Sequence, residues 1–288
     1  LPAVGAPPRR APARVGSALG RAYLVNTGGT TAGALAASFV LVPGLGVRGT
    51  LDVLALLVLP ALVLATPPAA RRWPRLAAAG LLAALPTVWP AWDARYMHTN
   101  VAKEPDQIVE LYNRGLLRQG VEGIVVKEVR DGVDVTASVV FYVDMLALLV
   151  NGKTDATDGM DMAMQRLLGH VPLLLRPNAR DVLVIGMGSG VTLAAVTSHV
   201  AQAIDLVDIS AEVLDLGDRH FQHVNRNALH DPRVTAYIED GRNFVAFNTA
   251  RAYDVIVSEP SNPWMTGVAN LFTDEFFTML RRRLRPDG

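Results

Sequence analysis

The sequence predicts an α/β protein: a doubly wound parallel sheet with a small β-rich subdomain before it, preceded in turn by transmembrane helices. Three observations carry this. "DVLVIGMGSGVTLAAV" (181–196) passes from an apolar strand through alternating glycines into a helical pattern. From there apolar strands alternate with helices to the end of the chain, as in parallel sheets covered on both faces. The N-terminal part holds three uncharged apolar stretches, Ala22–Val47, Val53–Ala70 and Leu76–Trp92, near or above the ~20 residues of a bilayer span.

Residues 1–93 are therefore expected to form a multi-pass membrane region. The alternative is a set of buried helices in a large soluble core. Asn26, Thr27, Thr30 and Thr31 make the first stretch less apolar, and its Gly and Ala content suits close helix packing. Arg9, Arg10, Arg14 and Arg21 precede the first stretch, and Arg71, Arg72 and Arg75 separate the second from the third. The positive-inside rule places both groups in the cytoplasm. The third stretch carries Pro86, Trp89, Pro90 and Trp92, so it reads either as a span or as an interfacial segment, and the two readings put the remainder on opposite sides. The chain opens on Leu1 and closes after "LRRRLRPDG", so it is expected to be part of a longer protein.

Residues 94–178 are expected to form the β-rich subdomain and a linking helix. "VEGIVVKEVRDGVDVTASVVFYVD" reads as a hairpin with Asp131-Gly132 at its turn. "LALLVNGKTDATDG" reads as a short strand entering a loop, and Met160–His170 as a helix that Pro172 and Pro177 bring to an end. Residues 179–288 form the expected core. Its strands are Val182–Ile185, Ile204–Ile209, Val234–Ile238 and Asp254–Ser258. Its helices lie near Val191–Val200, Ala211–His220, Arg242–Phe247 and Thr273–Leu284.

Ligands of such sheets bind beyond the carboxyl ends of the strands. There the sequence places Gly186, Gly188, Ser189 and Gly190 after the first strand, Asp208 and Ile209 at the end of the second, Asp240-Gly241 after the third and Glu259 after the fourth. A carboxylate at Asp208 can accept both ribose hydroxyls, and Asp240-Gly241 can meet an adenine edge. Helix N-capping is the structural alternative for both aspartates. The glycines run G-x-G-x-G rather than G-x-G-x-x-G, and no P-loop lysine follows, which argues against triphosphate chemistry. The 27 Lys+Arg balance the 27 Asp+Glu, so no basic field points to nucleic acid. The absence of cysteine excludes disulfides and thiolate chemistry, and no metal is expected.

"LVNGKTDATDGMDMAMQRLLGHVPLLLRPNARDVLVIGMGSG", "LVDIS", "IEDGRNF" and "YDVIVSEPSNPW" resemble the spermidine synthases, the polyamine aminopropyltransferases, and in particular their membrane-fused relatives. The resemblance covers roughly 121–288. It implies a Rossmann-like S-adenosylmethionine-dependent transferase fold, with decarboxylated S-adenosylmethionine or S-adenosylmethionine as cosubstrate, an amine acceptor, and a catalytic domain in the cytoplasm. Membrane lipid is the other expected partner, and a homodimer is left open. Gly186, Gly188 and Gly190 match the nucleoside turn, while Ser189 stands where the soluble enzymes have Asp. Asp208 matches the ribose ligand and Asp240-Gly241 the adenine-contacting pair. Gln165 and His170 match the substrate-facing helix, on which Met164 replaces a Tyr. Asp155 replaces a loop Gln. Glu259 and Asn262 replace the two aspartates of the D-S-S-D-P motif.

Aminopropyl transfer is attack by a neutral amine on a carbon beside a sulfonium. An aliphatic amine, with a pKa of ~10.4, arrives protonated. Glu259 is the candidate to bind the ammonium and accept its proton, with Asp161 or Asp155 next in line. A solvated loop carboxylate is the alternative for Glu259, and a helix-end histidine bonding a carbonyl for His170. Two other functions compete. "SNPW" is reminiscent of the N-P-P-W loop of amino-methylating enzymes, and the domain could bind nucleoside without turnover as a membrane sensor or transporter partner.

Overall fold

The computed structural model describes residues 12–65, 93–97, 109–110, 112–115, 121–142, 144–248, 250–260, 263 and 268–288, with single positions at 73, 77, 80, 81 and 84. The chain divides into two compact units, Leu1–Trp89 and Pro90–Gly288.

In the first unit α1 (Pro12–Ala36) continues through a π-helical turn (Ala37–Leu41) into α2 (Val42–Ala65). The first apolar stretch and the described part of the second, to Ala65, are thus helical, and no extended loop separates them. The charges between the two stretches pair within the helix: Arg48 Nε lies 3.9 Å from Asp52 Oδ2, one turn along. The break comes at Gly46, whose φ of 71° and ψ of 171° kink α2. Thr30 hides its hydroxyl by donating to the Asn26 carbonyl at 2.8 Å. Among the described residues one helix, Gly16–Val58, is long and apolar enough to cross a membrane, with a mean hydropathy of 1.7. The third stretch lies outside the described residues apart from Ala77, Gly80, Leu81 and Ala84.

The second unit begins with the short helix α3 (Ala94–Met97). An antiparallel meander follows, built from β1 (Val125–Asp131), β2 (Thr136–Tyr142), β3 (Met145–Val150) and β4 (Lys153–Thr157). The expected hairpin is present, closed by Gly132 N–H donating to the Val135 carbonyl at 2.8 Å. A second hairpin replaces the expected loop after β3. Asn151 and Gly152 both have positive φ, 51° and 77°, the two-residue turn whose twist matches paired strands. Asp155 consequently lies on β4, not in a loop.

Helix α4 (Met162–Leu175) leads into the parallel sheet and passes through Pro172, at which it was expected to stop. Leu173, 2 % exposed, is packed in the core, and Arg176 N–H closes the last turn on the Pro172 carbonyl at 2.9 Å. Burial of that turn outweighs the hydrogen bond that proline removes. The sheet runs β7 (Val234–Ile238), β6 (Ala203–Asp208), β5 (Asp181–Ile185), β8 (Val255–Ser258), with every pairing parallel. Its helices are α5 (Val191–Thr197), α6 (Ala211–His220), α7 (Gln222–Asn225), α8 (Gly241–Phe247) and α9 (Asp274–Arg283).

Alternation along the strands makes two cores, one on each face. Val182, Val184, Leu206 and Val257 face Leu193 of α5 and Leu216 of α6, together with Ala137, Val139 and Leu148 of the meander. Leu183, Ile185 and Val207 face Phe244 of α8 and Phe276 and Leu280 of α9. The meander therefore shares its core with the sheet, lying over α6. Outside that core Glu128 of β1 takes a bidentate contact from Arg219 of α6, both distances 2.8 Å, and meets His220 at 2.9 Å.

Candidate active site at the carboxyl edge of the parallel sheet

The turn after β5 is built so that backbone can pass backbone. Gly186 has a φ of 100°, and a Cβ there would stand 2.9 Å from the Glu259 carbonyl oxygen. Only glycine fits. Glu259 N–H in turn donates to the Ile185 carbonyl at 3.0 Å, so the last turn of β5 and the first residue beyond β8 are locked side by side. Gly188, with a φ of 49°, brings the turn against Ala156 of β4.

Asp208 closes the next strand end. Its Oδ2 accepts from Met187 N–H at 2.8 Å and its Oδ1 from Ser210 N–H at 2.9 Å. The carboxylate thereby holds the glycine turn against the start of α6. Capping of that helix falls to Ser210, whose side chain accepts from Val213 N–H, so the capping alternative for Asp208 does not apply. Burial pushes Asp208 up to about 6, against the two N–H donors, and Asp155 adds a smaller push in the same direction. Ile209, half exposed, follows at the same edge. Asp240 does cap a helix, accepting from Asn243 N–H at 2.8 Å at the start of α8. Gly241 packs close enough that a Cβ would meet Ile185 Cγ2 at 2.8 Å.

Four carboxyl groups converge here. Asp155 of β4 acts electrostatically on both Asp208 and Glu259, and Asp161 acts on Glu259 as well. Burial raises the Glu259 pKa first, a hydrogen bond from Thr192 opposes it, and the two aspartates raise it further. Asp161, just before α4, is fixed by Thr157, whose N–H donates at 2.9 Å and whose hydroxyl also donates. Gln165 Nε2 donates to Asp161 Oδ2 at 2.7 Å, and Gln165 Oε1 accepts from the Ser189 hydroxyl at 2.6 Å. Gln165 and Ser189 are both buried. The residue at the position usually held by Asp is therefore neutral and already engaged.

His170 does not join this group. It lies five residues along α4 from Gln165, about 7.5 Å at 1.5 Å per residue, and its Nδ1 meets His199 Nε2 at 2.9 Å beyond the far end of α5. The helix presents its first turn, not its middle, to the site. Met164 is exposed. Asn262 lies outside the described residues.

Three residues of the site escaped the sequence reading. Thr192 donates toward both the Gln165 carbonyl and Glu259. Asn225 of α7, buried, donates to the Ser189 and Gly217 carbonyls at 3.1 and 2.9 Å. Gly169 lets α4 meet α5, since a Cβ would stand 2.5 Å from Ala195 Cβ and 2.6 Å from the Thr192 carbonyl oxygen. Gly169 alone carried a visible signal, a glycine inside an otherwise regular helical pattern.

A glycine turn, a strand-end carboxylate and an acidic lining thus lie together at the carboxyl edge of a parallel sheet, where α/β folds of this kind bind their ligands. Residues 161–288 match the spermine/spermidine synthase domain. It is 35 % identical over 142 residues to the polyamine aminopropyltransferase of Klebsiella pneumoniae, covering 49 % of each chain. It is 31 % identical over 144 residues to that of Aeropyrum pernix, covering 49 % of this chain and 46 % of the relative. The chain spans about half the length of these curated relatives. A spermidine synthase in complex with the transition-state analogue AdoDATO superposes with a TM-score of 0.52 at 25 % identity, covering 56 % of this chain and 55 % of that one. The spermidine synthase from Thermotoga maritima gives 0.50 at 25 % identity, covering 56 % and 54 %.

Proposed function

We propose that this protein is an aminopropyltransferase, moving an aminopropyl group from decarboxylated S-adenosylmethionine to an amine acceptor. The observation that carries the reading is the convergence of Asp155, Asp161 and Glu259 beside the Asp208-anchored glycine turn. Both reactants of aminopropyl transfer are cations, and an acidic lining next to a nucleoside turn suits both. The family of residues 161–288 supports the same chemistry, as does the analogue bound to a related spermidine synthase.

In this reading Asp208 accepts the ribose hydroxyls, and Ile209 and Gly241 line the adenine. Glu259 receives the acceptor ammonium and takes a proton from it. The amine lone pair then attacks the methylene carbon, and the carbon–sulfur electron pair leaves with sulfur. The sulfonium supplies its own leaving group, so the protein's main task is alignment. No step calls for a metal. The apolar N-terminal helix supports membrane attachment with lipid as a partner, and the cytoplasmic side follows from where the nucleoside cosubstrate is made.

Product analysis tests the reading. Purified full-length chain given decarboxylated S-adenosylmethionine and a panel of amines should release methylthioadenosine. Release of S-adenosylhomocysteine from S-adenosylmethionine would establish a methyltransferase instead, and tight nucleoside binding without product would establish a sensor.

A further inference from the structure

Thr192 stands second in α5, 2 % exposed, with its hydroxyl oxygen between two acceptors. The backbone carbonyl of Gln165 on α4 lies 3.0 Å away, and Oε2 of Glu259 is in direct hydrogen-bond contact. A threonine hydroxyl carries one hydrogen. If Glu259 is a carboxylate, that hydrogen goes to it and holds its pKa down, but the carbonyl contact then becomes two lone pairs facing each other in a buried place. If Glu259 is protonated, its O–H donates to Thr192 Oγ1 and Thr192 donates to Gln165. Both contacts are then hydrogen bonds.

We propose that Thr192 is a positioning residue that holds Glu259 as a neutral carboxylic acid in the resting site. The other groups facing Glu259 favour the same state. Asp155 on β4 and Asp161 ahead of α4 present like charge, and burial disfavours a further anion. Asp208 adds a fourth carboxyl, coupled through Asp155. Holding one of four carboxyls neutral relieves the repulsion while the site is empty of cations.

The consequence for turnover rests on the aminopropyl-transfer reading. An arriving ammonium favours the Glu259 carboxylate, so its proton leaves to solvent on binding. Glu259 then takes a proton from the ammonium as the C–N bond forms and the C–S bond breaks, and it ends the cycle neutral, as it began. The proton released per turnover therefore reaches solvent at acceptor binding rather than at the chemical step.

Infrared pH titration of the full chain in detergent tests the resting state without reading turnover. A carboxylic-acid carbonyl band should persist above the range of an ordinary glutamate, and Glu259→Gln should remove a component of it while leaving that of Asp208, which titrates at about 6. Thr192→Val should move its midpoint down, because the neutral acid loses its acceptor, and Thr192→Ser should restore it. A wild-type band confined to the ordinary range, or one that Glu259→Gln leaves unchanged, overturns the proposal. So does a Thr192→Val midpoint that moves up, which would make Thr192 a donor to the carboxylate. If Thr192→Val fails to fold, the comparison of wild type with Glu259→Gln decides alone. Failure of the methylthioadenosine assay would remove the aminopropyl reading and leave this result standing.

Discussion

Glu259 and Asp208 do different work with the same functional group, and their surroundings say why. Glu259 follows β8 with its backbone locked to β5, so its side chain is aimed from a rigid edge. Glu259→Gln keeps the shape and removes the proton acceptor. Turnover should fall by about 10²–10⁴, the usual contribution of a positioned base, while nucleoside affinity holds. Full activity in a folded Glu259→Gln protein would move the base to Asp161 or Asp155. Asp208 is a tether, since it accepts from Met187 and Ser210, and in the proposed reading it is the ribose ligand too. Asp208→Ala should weaken nucleoside binding by about 1.5–3 kcal/mol, the scale of a charge-assisted contact. Its pKa of about 6, above that of an unfolded aspartate, fixes two signs. Between the ordinary carboxylate range and about 6 the folded state binds a proton that the unfolded chain does not, so this group's contribution to stability falls as pH rises through that window. Ribose hydroxyls need the carboxylate, so nucleoside affinity should weaken as pH falls through about 6. Calorimetric titration across that range should lose the inflection in Asp208→Asn; an unchanged inflection would assign it to another group.

The elements were legible wherever one local rule decided them, and hidden where packing overruled it. The glycine turn and the alternating strands announced the parallel sheet, because period and turn chemistry agree there. The helix through Pro172 was not legible, since the outcome depends on Leu173 reaching a core formed by distant strands. The Asn151-Gly152 hairpin was legible in principle, from a two-residue turn flanked by apolar and β-branched residues. His170 misled for a geometric reason. The helix positions were right, but five residues of rise carry it out of the site toward His199. The contact between α4 and α5 depends on a feature that only the folded chain reveals. Gly169 places its Cα where a methyl would collide with Ala195 and with the Thr192 backbone. Gly169→Ala should push the helices apart, costing about 1–3 kcal/mol by the overpacking rule. It should also disturb Gln165 and Thr192, which sit on the two helices so separated. Thermal melting and product release together check this: a fall in melting temperature with wild-type turnover would show that the helix spacing does not set the site.

At the scale of the whole chain, the two units differ in how much apolar surface they bury. The second unit packs aliphatic cores on both faces of its parallel sheet. The N-terminal helix does the opposite. Leu24 and Val25 are each 73 % exposed and Val40 65 %, and only 6 % of the most apolar window of Gly16–Val58 is buried. Each large aliphatic left in water forgoes about 1.5–3 kcal/mol, so a helix with this surface is unfavourable as a water-exposed rod. The stretch Gly16–Val58 has 43 residues, about twice the ~20 that cross a ~30 Å hydrocarbon layer as one straight helix. The kink at Gly46 and the Arg48–Asp52 pair fall in its C-terminal half, which leaves the uncharged stretch Ala22–Leu45 as the part matched to a bilayer. The intact chain should therefore sediment with membranes, resist extraction by high salt and be released by detergent. Truncation to the residues after Trp92 should abolish the sedimentation, and substituting Leu24, Val25 and Val40 with Glu together should weaken it. Recovery of the intact chain in a high-speed supernatant without detergent would place the helix against protein instead of lipid.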